Sequence, residues 1–187
     1  MRYFFTADEH LGHHNIIQYC GRPFKDVGEM NDAIIDNHNA VVGSHDHVLH
    51  AGDFTMRDYD YAMEFAKKLN GYHTFLHGSH DKWMPLRPHE RFASWQKIAF
   101  ANEDIWRFPV PTEVPVYVCH YALRVWPRSH YNSWMLFGHS HGRLAPEGKS
   151  WDIGVDCNNF FPLSWEQVQK IMAERPDNPN LVKGART

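Results

Sequence analysis

Short β-favouring runs alternate with helix-length segments through the first half of this chain, and that alternation constrains the fold more than any other feature. Arg2–Thr6, Val48–Ala51 and Tyr72–Leu76 read as strands. Residues 26–42 read as a helix, because Asp26 with Glu29 three positions on forms a capping box, and Met30, Ile34, Ile35, Val41 and Val42 make a broad apolar stripe. Tyr59–Leu69 reads as a second helix, stopped by Asn70-Gly71. A β-α-β-α-β order places the chain in the α/β class.

The second half is richer in strands. Ile105–Val110 and Val114–Cys119 read as a pair joined by a Pro111-centred turn. Trp134–Phe137 and Trp151–Val155 follow, with Gly142–Lys149 as a hairpin loop between them. Ser164 with Gln167 forms a second capping box and opens a helix to about Glu174. Residues 82–104, with Pro85, Pro88 and two tryptophans, read as an irregular or partly helical lid, and the tail from Pro176 as a flexible end. No repeat or linker divides residues 1–187, so one domain is expected, large enough to bury a core without staples.

Composition narrows the class. A formal charge of −3 gives no global attraction to nucleic acid or anionic membrane. Cys20, Cys119 and Cys157 are widely spaced with no C-x-x-C pair, which argues for reduced thiols and a cytoplasmic protein. The apolar run at the N-terminus stops at Asp8-Glu9, so neither a signal peptide nor a membrane span is expected. The unusual number is histidine, 15 of 187 residues, since histidine is the commonest metal ligand and proton carrier.

Acids and histidines gather where the expected strands end: Asp8-x-His10, Gly52-Asp53, Gly78-Ser79-His80-Asp81, His120, and Gly138-His139-Ser140-His141. In α/β folds ligands bind beyond the carboxyl ends of strands, so this placement matters more than the count. The glycines before Asp53, Ser79 and His139 permit sharp turns and close backbone approach. Mixed carboxylate and imidazole donors suit Mn, Fe, Zn or Ni rather than an all-oxygen Ca site.

Taken in order, these five motifs resemble the calcineurin-like metallophosphoesterase family, whose signature runs D-x-H, G-D, G-N-H-D, a lone H and G-H-x-H. Gly12-His-His-Asn-Ile16, Cys20-Gly-Arg-Pro-Phe24 and Ser129-His-Tyr-Asn-Ser-Trp134 further resemble a small bacterial and phage branch of predicted phosphoesterases. The resemblance implies a four-layer αββα sandwich with two mixed β-sheets. It implies that Asp8, His10 and His141 hold a first divalent ion, that Asp53 bridges to a second, and that His120, His139 and the side chain at position 79 complete the second site. His80 is then expected beside the leaving group, with Asp81 orienting it. Two ions about 3.5–4 Å apart lower the pKa of a bridging water, whose hydroxide attacks the phosphoester in line. A protonated His80 stabilises the transition state or protonates the leaving oxygen.

Ser79 departs from the family pattern, which has asparagine there. A serine hydroxyl is a shorter, weaker neutral ligand, so the second site is expected to be weak. Three accounts are open: a natural weak site, an Asn→Ser replacement that lowers catalysis, or a fold retained for binding. Asn15 and Arg22 are candidate phosphate contacts, beside His13 and His14, and Arg124 and His130 are candidates for the cleft. His45, His47, His50, His73, His77 and His89 read as exposed or packing residues, and His38 falls on the first helix and needs no metal. Lys82, Arg87, Arg91, Lys97, Arg107, Arg124 and Arg128 make residues 82–128 basic, a rim that suits nucleotides or nucleic acid, with Trp83, Trp95 and Trp126 available to stack on bases. A solvated face over core tryptophans is the favoured reading of the same residues. The expected function is metal-dependent hydrolysis of a phosphomonoester or phosphodiester; the alternative is a non-catalytic binding module on the same fold.

Overall fold

The structure, a computed structural model, describes residues 1–84, 98–101, 103–109 and 112–182. The chain runs β1 (Tyr3–Thr6), α1 (His14–Cys20), α2 (Val27–Val41), β2 (His47–His50), α3 (Tyr59–Ala66), β3 (Tyr72–Phe75), β4 (Ile98–Phe100), β5 (Ile105–Arg107), β6 (Val116–Cys119), β7 (Trp134–Phe137), β8 (Ser150–Asp152), β9 (Leu163–Ser164) and α4 (Trp165–Glu174). Two mixed sheets result. The first has the order β4-β3-β2-β1-β9, all parallel except the β1–β9 pair. The second has the order β5-β6-β7-β8, parallel except for the β5–β6 pair.

Side-chain alternation along the strands builds the layers. Phe5, Ala7, Leu49, Ala51 and Leu76 point from the first sheet toward Val116, Val118, Leu136 and Ile153 of the second, closing one buried cluster between the sheets. Each large side chain removed from water there contributes about 1.5–3 kcal/mol. The opposite face of the first sheet carries Phe4 and Val48, packed with Val42, and Phe75, packed with Met30, Ile34 and Met63 of α2 and α3. Trp126, Leu123 and Ala122 cover Tyr117, Met135 and Phe137 on the outer face of the second sheet. Helix α4 packs on β1, β8 and β9 and sends Val168 and Met172 into the inter-sheet cluster. Among the described residues the arrangement is an α/β sandwich of two mixed sheets and four helices.

Local chemistry explains the helix ends. Asp26 caps α2 by accepting the Glu29 N–H, but the Glu29 carboxylate reaches the Lys25 N–H instead of completing the box. Ser164 and Gln167 form the full reciprocal box at α4. Asp58 caps α3, which ends at Ala66, three residues short of the sequence reading.

Three other readings change. Residues 138–149 do not form a hairpin: β7 and β8 are parallel, with Met135 opposite Ser150, so the segment is a crossover of the roughly dozen residues such a connection needs. Ile98–Phe100, read as part of a lid, is the edge strand β4, whose apolar side chains pack beside Phe75 and Trp83. Residues 85–97, including Trp95 and His89, and the Pro111 turn lie outside the described residues. The start of the expected flexible tail is pinned: buried Asn178 donates its amide to the Ser129 and Ser133 carbonyls and accepts from the Lys149 N–H. Residues 183–187 lie outside the described residues. Among the described residues no helix is long and apolar enough to cross a membrane.

Candidate metal centre

Both sheets present the carboxyl ends of their parallel strands at one edge, and the loops leaving those ends carry the candidate residues. Asp8, Glu9 and His10 follow β1, Asp53 follows β2, Gly78–Asp81 follow β3, His120 follows β6 and His139–His141 follow β7. Backbone hydrogen bonds stitch the loops together: Asp8 N–H to Gly52 O at 3.0 Å, His10 N–H to Asp53 O at 3.0 Å, and Gly138 N–H to His120 O at 3.1 Å. A bond from the His139 N–H to Asp8 Oδ2, 2.8 Å long, joins one sheet to the other.

The backbone here is unusual. Nine non-glycine residues among those described have left-handed φ, and five are Asp8, His10, Asp53, His139 and His141, with φ between 48° and 66°. Such conformations cost of the order of 1 kcal/mol or more each and gather at functional sites. The two glycine turns have a steric cause. A Cβ at Gly78 would overlap the Asp53 backbone nitrogen and carboxylate, and one at Gly138 would sit 2.7 Å from Asp8 Oδ2.

The side chains form two neighbouring groups, Asp8 with His10 and His141, and Asp53 with His120 and His139; within each, the donor atoms lie within 4.8 Å of one another. Asp53 lies between them, its Oδ2 3.6 Å from His10 Nε2 and 3.4 Å from His120 Nε2. His120 Nε2 is 3.1 Å from His139 Nδ1. Asp8 Oδ1 and both ring nitrogens of His10 are buried with no hydrogen-bond partner. Buried polar atoms rarely go unpaired, and a cation between these groups would satisfy them.

The electrostatics fit the same occupant. Burial pushes the Asp8 carboxyl well above its usual range, helped by Asp152 and Asp53. Burial drives the His10 imidazole down to about 3, so it is neutral at pH 7, the form that ligates. His139 is lowered by burial and by His120. Burial works to raise Asp53, but its hydrogen bond with His120, the charge of that ring and the His80 N–H outweigh it and hold the carboxylate below its usual range. Imidazoles around carboxylates are a donor set for borderline divalent ions.

Surrounding groups fix how the ligands point. His120 Nδ1–H donates to Ala51 O at 2.9 Å and His141 Nδ1–H to Asp156 Oδ2 at 2.7 Å, which leaves each Nε2 as the donor atom of its ring. Asp156 and Asp152 were missed in the sequence. Asp152 accepts from Ser140 Oγ and from the Gly142 and Gly154 N–H groups. Asp152 ends β8 and Asp156 lies four residues on, directly after the expected strand Trp151–Val155, so the same acid-after-strand signal was present there.

Several expectations need correction. Asp81 does not orient His80: its carboxylate accepts the N–H groups of Asp53, Phe54 and Gly78 and the Trp83 indole N–H, so it shapes the loop that carries Asp53. Arg22 is not a phosphate contact: it is buried, forms a paired ion contact with Asp156, and donates to the Asp8 and Glu9 carbonyls. The favoured reading of core tryptophans holds for Trp83 and Trp126: both are buried, their indoles bonded to Asp81 and to Ser133 O, so neither offers a face to bases. Arg124 is exposed and does not line the cleft, and the His130 ring packs against Tyr131 outside it. His50 and His73 are packing residues, as expected: they are buried with His38 between α2 and the first sheet, where His50 bonds Glu9 at 2.6 Å and His73 at 3.0 Å.

Two candidates lie where the cleft needs them. His80, its side chain 41% exposed, places Nε2 4.0 Å from Asp53 Oδ2, and Asn15 lies on the cleft wall. Ser79 sits beside the second group, but its hydroxyl donates to Asp53 Oδ2 at 3.0 Å and to Oδ1 at 3.3 Å. The cleft in front of the ligands has a volume of 640 Å³, within the roughly 300–1,000 Å³ range of small-ligand sites.

No family model matches the chain. It is 28% identical over 178 residues to an uncharacterized protein of Methanocaldococcus jannaschii, an alignment covering 90% of each. In three dimensions it is similar to the crystal structure of a protein of unknown function from Aquifex aeolicus, with a TM-score of 0.65 and 20% identity over 91% of this chain and 98% of that one, a likeness of fold.

Proposed function

We propose that this protein is a metal-dependent phosphoesterase of the calcineurin-like metallophosphoesterase type, with that family's four-layer αββα sandwich, hydrolysing a phosphomonoester or phosphodiester. The observation that carries the reading is the position of Asp53 between two ligand groups drawn from both sheets. Asp8, His10 and His141 would hold one divalent ion, His120 and His139 the other, with Asp53 shared and Ser79 as a weak neighbour of the second. Bound there, the two ions supply Lewis acidity toward phosphoryl oxygens and make water acidic enough to act as a nucleophile. Mn, Fe, Ni and Zn all suit the donors.

The chain's own residues do the rest. His120 and His141 are held in one tautomer by Ala51 O and Asp156, so their Nε2 lone pairs face the site without rearrangement. The His80 ring is open to the cleft, with Nε2 4.0 Å from Asp53 Oδ2, which puts it in position to serve as a proton donor to a leaving oxygen. Asn15 offers amide donors to a phosphate on the α1 side.

A panel of p-nitrophenyl phosphate, its bis ester, cyclic nucleotides and DNA, each with Mn, Ni, Zn or Mg, tests this against Asp53→Ala. Metal-dependent hydrolysis that Asp53→Ala abolishes is the expected result. The Ser79 hydroxyl, engaged with Asp53, favours one rival, a binding module on the same fold. Two bound ions with no hydrolysis of any ester would select it.

A further inference from the structure

The wall of the cleft facing the ligands carries exposed apolar side chains among its polar ones. Asn15, Ile16 and Tyr19 come from one face of α1, and Met56 comes from the loop after Asp53. Large apolar side chains exposed singly need no explanation, but here two of them, Tyr19 at 60% exposure and Met56 at 46%, line the same cleft. Tyr19 is linked to the ligands by ring contacts: its centroid is 6.2 Å from that of His13, which is 5.4 Å from that of His10 and 6.4 Å from that of His80. Arg143, the one permanently cationic side chain among the described lining residues, donates to the Tyr19 carbonyl at 2.6 Å and so fixes the end of the helix that presents the ring.

We infer that the phosphoester taken by this cleft carries a nucleobase, stacked on Tyr19, while its phosphate lies at the Asp53 ligand groups. The inference rests on the phosphoesterase reading only for which bond is cut. A flat π face beside a thioether gains most from a planar aromatic partner and little from an alkyl chain. Arg143 opposes the charge of the ester. Tyr19 thus takes the stacking role that buried Trp83 and Trp126 cannot fill.

Two substrates with the same scissile bond separate the outcomes: the p-nitrophenyl ester of thymidine 5′-phosphate and ethyl p-nitrophenyl phosphate. Stacking on an aromatic side chain predicts a ratio of kcat/KM of order tenfold or more in favour of the nucleoside ester. That ratio falls toward one in Tyr19→Ala and Tyr19→Leu, through KM, and survives in Tyr19→Phe. Calorimetry in Mn2+ buffer gives a second readout, using the non-hydrolysable methylene phosphonate isosteres of AMP and ribose 5-phosphate. Wild type should prefer the AMP isostere by a similar factor, and Tyr19→Ala should not. Equal rates and equal affinities overturn the nucleobase site and leave the phosphoesterase standing. A base preference that Tyr19→Ala retains also overturns it. No hydrolysis of either ester, with the isostere preference present and lost in Tyr19→Ala, overturns the phosphoesterase reading and keeps the nucleotide site.

Discussion

The Asp81 carboxylate accepts the backbone N–H of Asp53 at 2.6 Å, so one buried aspartate sets the direction of another. Asp81→Ala strands the N–H groups of Asp53, Phe54 and Gly78 and the indole of Trp83 in the interior. Each unpaired group costs about 1–3 kcal/mol, so chemical denaturation should show a loss of at least about 3 kcal/mol, with cation binding weakened alongside. Asp81→Asn keeps one acceptor oxygen and should fall between. Full stability in Asp81→Ala would contradict the assignment.

Asp156 performs the equivalent task for His141, and it pairs with Arg22 as well. Asp156→Asn should lower affinity for Mn2+ by about 10–100-fold, the usual range for losing a carboxylate behind a ligating histidine. Calorimetric titration of both proteins decides the point, and unchanged affinity would show that His141 is not a ligand.

At position 79 an asparagine would put an amide oxygen where the serine hydroxyl now bonds Asp53. Ser79→Asn is expected to raise occupancy of the second ion and turnover together. Metal analysis after dialysis, with rates on the same samples, measures both. Equal ion content and equal rate in the two proteins would remove Ser79 as the cause of a weak site.

The buried histidines make stability depend on pH. Burial lowers His38 to about 4, against its hydrogen bond to the Asn70 carbonyl, whereas the unfolded ring titrates near 6.5. Between those values the unfolded chain takes up a proton that the folded one refuses, so stability attributable to this site is intact above about 6.5 and declines as pH falls toward 4. His38→Gln removes that proton. Its stability relative to wild type should therefore improve by about 1.4 kcal/mol for each pH unit below 6.5, read from denaturant midpoints of metal-free protein. A constant difference from pH 7 to pH 4 would refute this.

The sequence revealed the strand ends and the residues on them better than it revealed what those residues touch. Helix α2, the strands β1–β3 and the capping box of Ser164 were legible because each depends on neighbours close along the chain. The parallel pairing of β7 and β8 was not, since twelve residues with glycines suit a hairpin or a crossover equally well on local chemistry. Arg22 shows the other limit. A guanidinium near a phosphate-binding motif and one buried against Asp156 look the same in sequence, because the partner lies 134 residues away. Asp81 was found but given the wrong neighbour for the same reason: its bonds run to a loop 26–28 residues earlier.

The joint between Asp8 and the His139 N–H has a consequence for the order of events in the life of the chain. Contributions to the site begin at residue 8 and end at Asp156, and they come from both sheets. A ribosome-bound fragment that stops before β7 carries Asp8, His10, Asp53 and His120, but neither donor group is complete without His139 or His141. Any cation that prefers the complete set therefore acts as a late quality check, adding RT ln(1 + [L]/Kd) only to molecules whose two halves have already met.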